Sequence, residues 1–341
     1  MHAFRETGVM VGVILSLATP TFAQEPRERA AVATTRHFAF HSDFATNLND
    51  ALIESGRARK AGKPELFRTG NEESCFGGLP RPAQAAWDHA VAYYAEIISP
   101  ERWSGRQQFS IRLDLAGAEE LEEARDLRDV GIARSFRGAA APAYEACRWT
   151  TQDAENRRWI DALVPLLSVH EEAVSLRLAD LYSEPLAGLP IRVDVVETVN
   201  WSGATTILLD PVGGHIVISN EAESGPVSLE YVFHEASHLL MGRGHPVRNA
   251  LAEAAEQLDV QLPRNLWHAV LFYTTGDAVR RTLAEAGEPA YTPMIFSGNI
   301  FKSFHEPMES AWRAYLEGER SLEEAALDLI RALGDGEVDS P

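Results

Sequence analysis

The sequence predicts an α+β protein, mainly helical in its first half, on three observations. Helical apolar spacing dominates the chain up to about residue 185. Alternating patterns suited to strands cluster between residues 191 and 219, and an apolar segment of helical period follows directly. At 341 residues the chain is long enough to bury one large core or two ordinary ones without staples.

Residues 1–23 have the make-up of a secretory signal peptide. Arg5 sits in a short polar start, an apolar run extends from Gly8 to Ala18, and Thr-Pro-Thr-Phe-Ala precedes Gln24. The run is short for a membrane span and no later segment approaches that length. The expectation is an exported protein, periplasmic or secreted, cleaved after Ala23 and not inserted in a membrane. Residues 25–35, charged and alanine-rich, read as a lead-in.

A mainly helical region is expected over 24–190. Residues 37–40 suggest a short strand, and 43–58 a helix with Phe44, Leu48, Leu52 and Ile53 on one side. Residues 60–82, rich in Gly, Pro and Asn, read as loop. A helix over 83–98 carries Trp87, Tyr93 and Tyr94 for packing. Residues 107–115 alternate enough to suggest a strand, while 119–137 and 144–169 have helical spacing. The composition shifts at Pro185-Leu186-Ala187-Gly188-Leu189-Pro190, which places a soft boundary near 190.

Beyond it, 191–196 alternates as a strand does, and 204–209 and 215–219 are joined by Asp210-Pro211-Val212-Gly213-Gly214, whose turn chemistry suits a hairpin. Later helices are expected over 247–258, from 266 onward, over 307–316, and after Ser321, which forms a capping box with Glu324. Residues 334–341 read as an acidic tail.

The formal net charge of −19 with dispersed acidic residues argues for a solubilised surface and against a phosphate-backbone partner, so no nucleic acid is expected. The two cysteines, Cys75 and Cys147, fit either a disulfide, reasonable in an exported chain, or a pair of buried thiols.

The stretch that carries chemistry is His234-Glu235-Ala236-Ser237-His238, inside an apolar stripe formed by Val232, Phe233, Ala236, Leu239 and Leu240. Residues four apart share one helix face, so the two imidazoles can converge on one ion, with Glu235 beside it. Zinc is the metal this spacing points to, and Glu235 is the natural general base for a zinc-bound water.

Strands, then a helix bearing this motif, then further helices is an order that resembles the zincin-type metallopeptidases over residues 191 to about 290. The resemblance implies a zincin-like metal-binding catalytic region over 191–333, with a small sheet, a Zn2+ cofactor and a peptide or protein substrate.

Two histidines do not complete a catalytic zinc site. His245 nearly reproduces the metzincin extension, but Met241 stands where the glycine belongs and Gly242 comes one residue late. Glu253 and Glu256 are the gluzincin-like choices, on a helix whose apolar face is Leu251, Ala254, Ala255 and Leu258. His268 lies in a helix apolar nearly all round, hence buried, where an imidazole needs a partner. It is the favoured third ligand. The leading expectation is an exported zinc hydrolase, most directly a metallopeptidase. The alternatives are a non-catalytic envelope protein with a structural or vestigial zinc site, or a zinc hydrolase of non-peptide amides or esters.

Overall fold

A mixed five-stranded sheet, with helices over one face, organises the chain. The computed structural model describes residues 30–98, 111, 114–115, 127–186, 190–199, 203–209, 213–242 and 244–334. The expected signal segment and the tail beyond 334 lie outside the described residues. Among those described, no helix is long and apolar enough to cross a membrane.

The chain enters through strands β1 (Ala33–Thr34) and β2 (Phe38–His41), then helix α1 (Phe44–Lys60). Asp43 caps α1 by accepting from the Thr46 amide at 2.8 Å, and Arg57, Arg59 and Lys60 complement the dipole at its other end. Helices α2 (Gly70–Gly78) and α3 (Arg81–Tyr93) follow, the latter continuing as a π-turn over Tyr94–Ile98. Next come α4 (Leu127–Tyr144), a π-turn over Glu145–Trp149, and the long α5 (Thr150–Tyr182).

Two expectations are corrected here. The loop expected over 60–82 contains α2. Its single inward side chain, Phe76, stacks on Phe67 with centroids 5.1 Å apart, too little apolar pattern to register as a period. Cys75 in the same helix forms a disulfide with Cys147 across 72 residues of sequence. Of the strand expected over 107–115, the described residues Ile111, Asp114 and Leu115 are helical. Ile111 and Leu115 are both buried and four apart, so one helix face explains the pattern that alternation seemed to carry. Of the helix expected over 119–137, residues 119–126 lie outside the described residues and the remainder falls in α4, while the spacing over 144–169 runs from the end of α4 through the π-turn into α5.

Strands β3 (Ile191–Val196), β4 (Ala204–Leu209) and β5 (Gly213–Ser219) complete the sheet in the order β1-β2-β3-β5-β4. β2, β3 and β5 run parallel, while β1 and β4 are antiparallel to their neighbours. Phe38–His41 and Ile191–Val196 lie on either side of the soft boundary near 190 and are direct neighbours in the sheet. Beyond β5 the sheet ends on β4, its edge strand among the described residues.

Side-chain parity gives the sheet two different faces. Phe38, Phe40, Val193, Val195, Ile216 and Ile218 are fully buried against the helical layer. The opposite parity holds His41, Arg192, Asp194, His215 and Val217.

Helix α6 (Pro226–Leu240) starts with proline in its first turn, packs on β4 and β5, and is followed by α7 (Pro246–Gln257) and α8 (Leu266–Glu285). Gly214 makes the close approach of α6 feasible, since a Cβ there would lie 2.3 Å from the Leu239 side chain. A short helix α9 (Met294–Ser297), a helical run over 305–316 and helix α10 (Leu322–Gly334) close the chain. The expected capping box forms, with reciprocal bonds of 3.0 and 3.2 Å between Ser321 and Glu324. The α+β class and a small sheet are as the sequence predicts; its mixed pairing comes from the structure. A second apolar cluster, built on Leu48, Leu52, Phe67, Trp87, Tyr94 and Tyr144, belongs to the helices that precede α5.

Candidate metal centre

The apolar stripe of α6 faces the sheet and α8, which buries His234 and the neighbouring Glu235. His238, one turn on, shares the His234 face, with ring centroids 5.0 Å apart. Helix α8 packs against α6 through its own apolar positions Leu266, Ala269, Val270 and Leu271, and that contact carries His268 to the same point. One ligand atom from each of His234, His238 and His268 lies within 4.8 Å of the other two. The Nε2 atoms of His234 and His268 are 3.3 Å apart.

Aromatic rings wall the cluster. Phe272 lies 3.8 Å from the His234 ring centroid, Trp267 stacks 5.0 Å from His268, and Phe301 stands 5.4 Å from His268. The low-dielectric surroundings disfavour charged imidazole. Burial drives His234 well below its ordinary value, with repulsion from the other two histidines adding to the effect. Burial likewise lowers His238 to about 3 and His268 to about 4. All three are therefore neutral at pH 7, the state in which imidazole binds metal. The Nδ1 atom of His234 is buried with no hydrogen-bond partner among the described residues.

The donor set fits a zinc ion. Three neutral imidazoles suit it chemically, and two nitrogens each about 2.05 Å from one tetrahedral ion stand roughly 3.3 Å apart. That is the spacing between His234 and His268.

Glu235 points to β4. The Thr206 hydroxyl lies 2.6 Å from Glu235 Oε2 and 2.8 Å from the Glu235 carbonyl oxygen. Burial pushes the carboxyl up to about 7, with the Thr206 hydrogen bond acting in the opposite sense.

The other residues weighed for this site are placed elsewhere. His245 caps α7, its Nδ1 accepting from the Val247 amide at 3.2 Å. Glu253 and Glu256 are exposed on α7. His215 is on the far face of the sheet, 2.5 Å from Asp194 Oδ2. Tyr273 and Tyr291 donate to Glu309 and Glu230. Asp277 and Glu230 do not orient the histidines. Asp277 pairs with Arg280 and Arg281. Glu230 accepts from Tyr291 at 2.5 Å and from the Met294 amide at 3.0 Å, and its carboxyl is pushed up to about 7 by burial.

Sequence reasoning missed Thr206, Phe272 and Phe301. Pairing with Ile216 places Thr206 on the inward parity of β4, but nothing local in the sequence says that Glu235 lies above it.

Comparison with family models, with curated proteins and with solved structures finds no match. The functional reading therefore rests on the site.

Proposed function

We propose that the chain is an exported zinc hydrolase, most directly a metallopeptidase, in which His234, His238 and His268 hold the metal. The observation that carries this reading is the convergence of three neutral imidazoles from two helices beside a buried carboxyl. A closed structural zinc site takes four protein ligands, whereas three leave a position open for water or substrate. When bound, zinc supplies a Lewis acid and a water acidified to about pKa 7.

Glu235 takes a proton from the attacking water at its carboxylate and returns it to the leaving amine. A carboxyl with an affinity near neutrality is suited to both halves of that transfer. The aromatic wall formed by Trp267, Phe272 and Phe301 limits water at the reaction centre. The free edge of β4 offers backbone groups to an extended peptide. The likeness to zincins in element order supports the peptide substrate by analogy alone. The disulfide between Cys75 and Cys147 supports export to an oxidising compartment.

The test pairs metal content with turnover. Purified mature protein is expected to retain about one zinc per chain after mild chelation. His268→Ala should lose it, while His245→Ala and Glu253→Ala should keep it. With zinc retained, Glu235→Gln should slow cleavage of a mixed peptide library by roughly 10²–10⁴-fold. Wild type that holds no zinc after reloading would end the metal reading. Equal cleavage by wild type and Glu235→Gln would end the peptidase reading.

A further inference from the structure

Thr206 has no ligand role in the site just described, yet it is the residue that grips Glu235. It projects from the inward parity of the edge strand β4, and its hydroxyl is 2.6 Å from Oε2 and 2.8 Å from the carbonyl oxygen of the same glutamate. A carboxylate at the end of two flexible bonds has several staggered positions open to it. One short hydrogen bond in a buried site selects one of them. The other carboxyl oxygen, Oε1, makes no hydrogen bond among the described residues, so the grip is one-sided.

We propose that Thr206 is a positioning residue for Glu235, fixing Oε2 so that Oε1 is presented to the attacking water; this rests on the hydrolase reading above. The geometry serves both ends of the proton transfer. A hydroxyl has one hydrogen to donate and lone pairs to accept with. While Glu235 is ionised, Thr206 donates that hydrogen to Oε2. Once Oε1 holds the proton taken from water, Oε2 still accepts from Thr206, so Oε1–H stays directed at the leaving amine. No heavy atom moves between the two arrangements. A valine has the same shape and suits a strand equally well, but has no hydrogen to donate to Oε2.

The experiment compares zinc-loaded wild type, Thr206→Val, Thr206→Ser, Glu235→Gln and the double variant Thr206→Val/Glu235→Gln. Zinc content should be unchanged throughout. Thr206→Val should lower kcat roughly 10–100-fold, the usual scale for an outer partner of a metal site, with KM within about twofold of wild type. Thr206→Ser should restore most of kcat, and Thr206→Val should cost nothing further once Glu235 is Gln. Crystal structures supply the readout that does not depend on turnover, with the Glu235 carboxyl expected to leave its single position in Thr206→Val. A wild-type kcat in Thr206→Val, or a carboxyl that stays in place, overturns the proposal. If wild type and Glu235→Gln cleave alike, the hydrolase reading itself has failed. In that case even a displaced carboxyl makes Thr206 a packing partner only.

Discussion

The two faces of the sheet region each bury histidine, and they treat it in opposite ways. On the far face, His215 and Asp194 are fully buried 2.5 Å apart, and Arg192 reaches Asp194 at 2.8 and 3.0 Å. Desolvation alone would raise the Asp194 carboxyl, but Arg192 and His215 together hold it well below its usual range. On the helical side, His234, His238 and His268 face one another, and no carboxylate offsets the lowering of any of the three. Buried polar groups that are satisfied within the fold explain themselves as structure. Buried imidazoles turned toward each other call for a partner from outside the chain.

The largest effect should come from breaking the satisfied pair. His215→Leu leaves Asp194 buried with half of its partners, and should cost on the order of 3–5 kcal/mol in urea unfolding. Zinc per folded chain should be unchanged. Loss of zinc with the fold intact would show that the two clusters are not independent.

Next comes the acid response of the metal-free protein. His268 has a depressed pKa, so the folded chain takes its proton only below about 4, while the unfolded chain takes it near 6.5. Stability is therefore present above about 6.5 and falls as the pH drops toward 4, by about 3 kcal/mol from this one group. His268→Leu should remove that portion of the acid loss in unfolding measured from pH 7 to 4. It should also fail to gain stability when zinc is added, unlike wild type. An unchanged acid profile would mean that His268 is solvated rather than poised.

The smallest expected effect tests what holds α8 against α6. A Cβ on Gly276 would lie 2.6 Å from Pro293 Cβ and 2.9 Å from Glu230 Oε1, beside the bonds that tie Glu230 to Tyr291 and Met294. Gly276→Ala should cost about 1–3 kcal/mol by overpacking. It should also weaken zinc retention, because α8 carries His268. Full retention at reduced stability would show that the histidines close on the metal despite a shifted helix.

Much of the site was legible because its information is local. The spacing of His234 and His238 follows from helix geometry, and Glu235 between them needs no tertiary knowledge to be singled out. The capping box at Ser321 and Glu324 and the β4–β5 hairpin were readable for the same reason. His268 was favoured on an indirect argument, the all-round apolarity of its helix. His245 and the α7 glutamates were separated from it by packing alone. What was misread depended on distant contacts, as with α2, which is pinned by Phe67 and Cys147, and with Ile111 and Leu115, whose spacing suits two structures.

The sequence by itself determined the α+β class, the strand parities and two of the three imidazoles, since each is a matter of period within one element. Only the tertiary structure decided that α8 brings His268 to 3.3 Å from His234, that His215 turns to the opposite face, and that Thr206 meets Glu235. Those relations join residues 21 to 34 positions apart. Their distances are set by how helices pack on a sheet, and no local pattern encodes that.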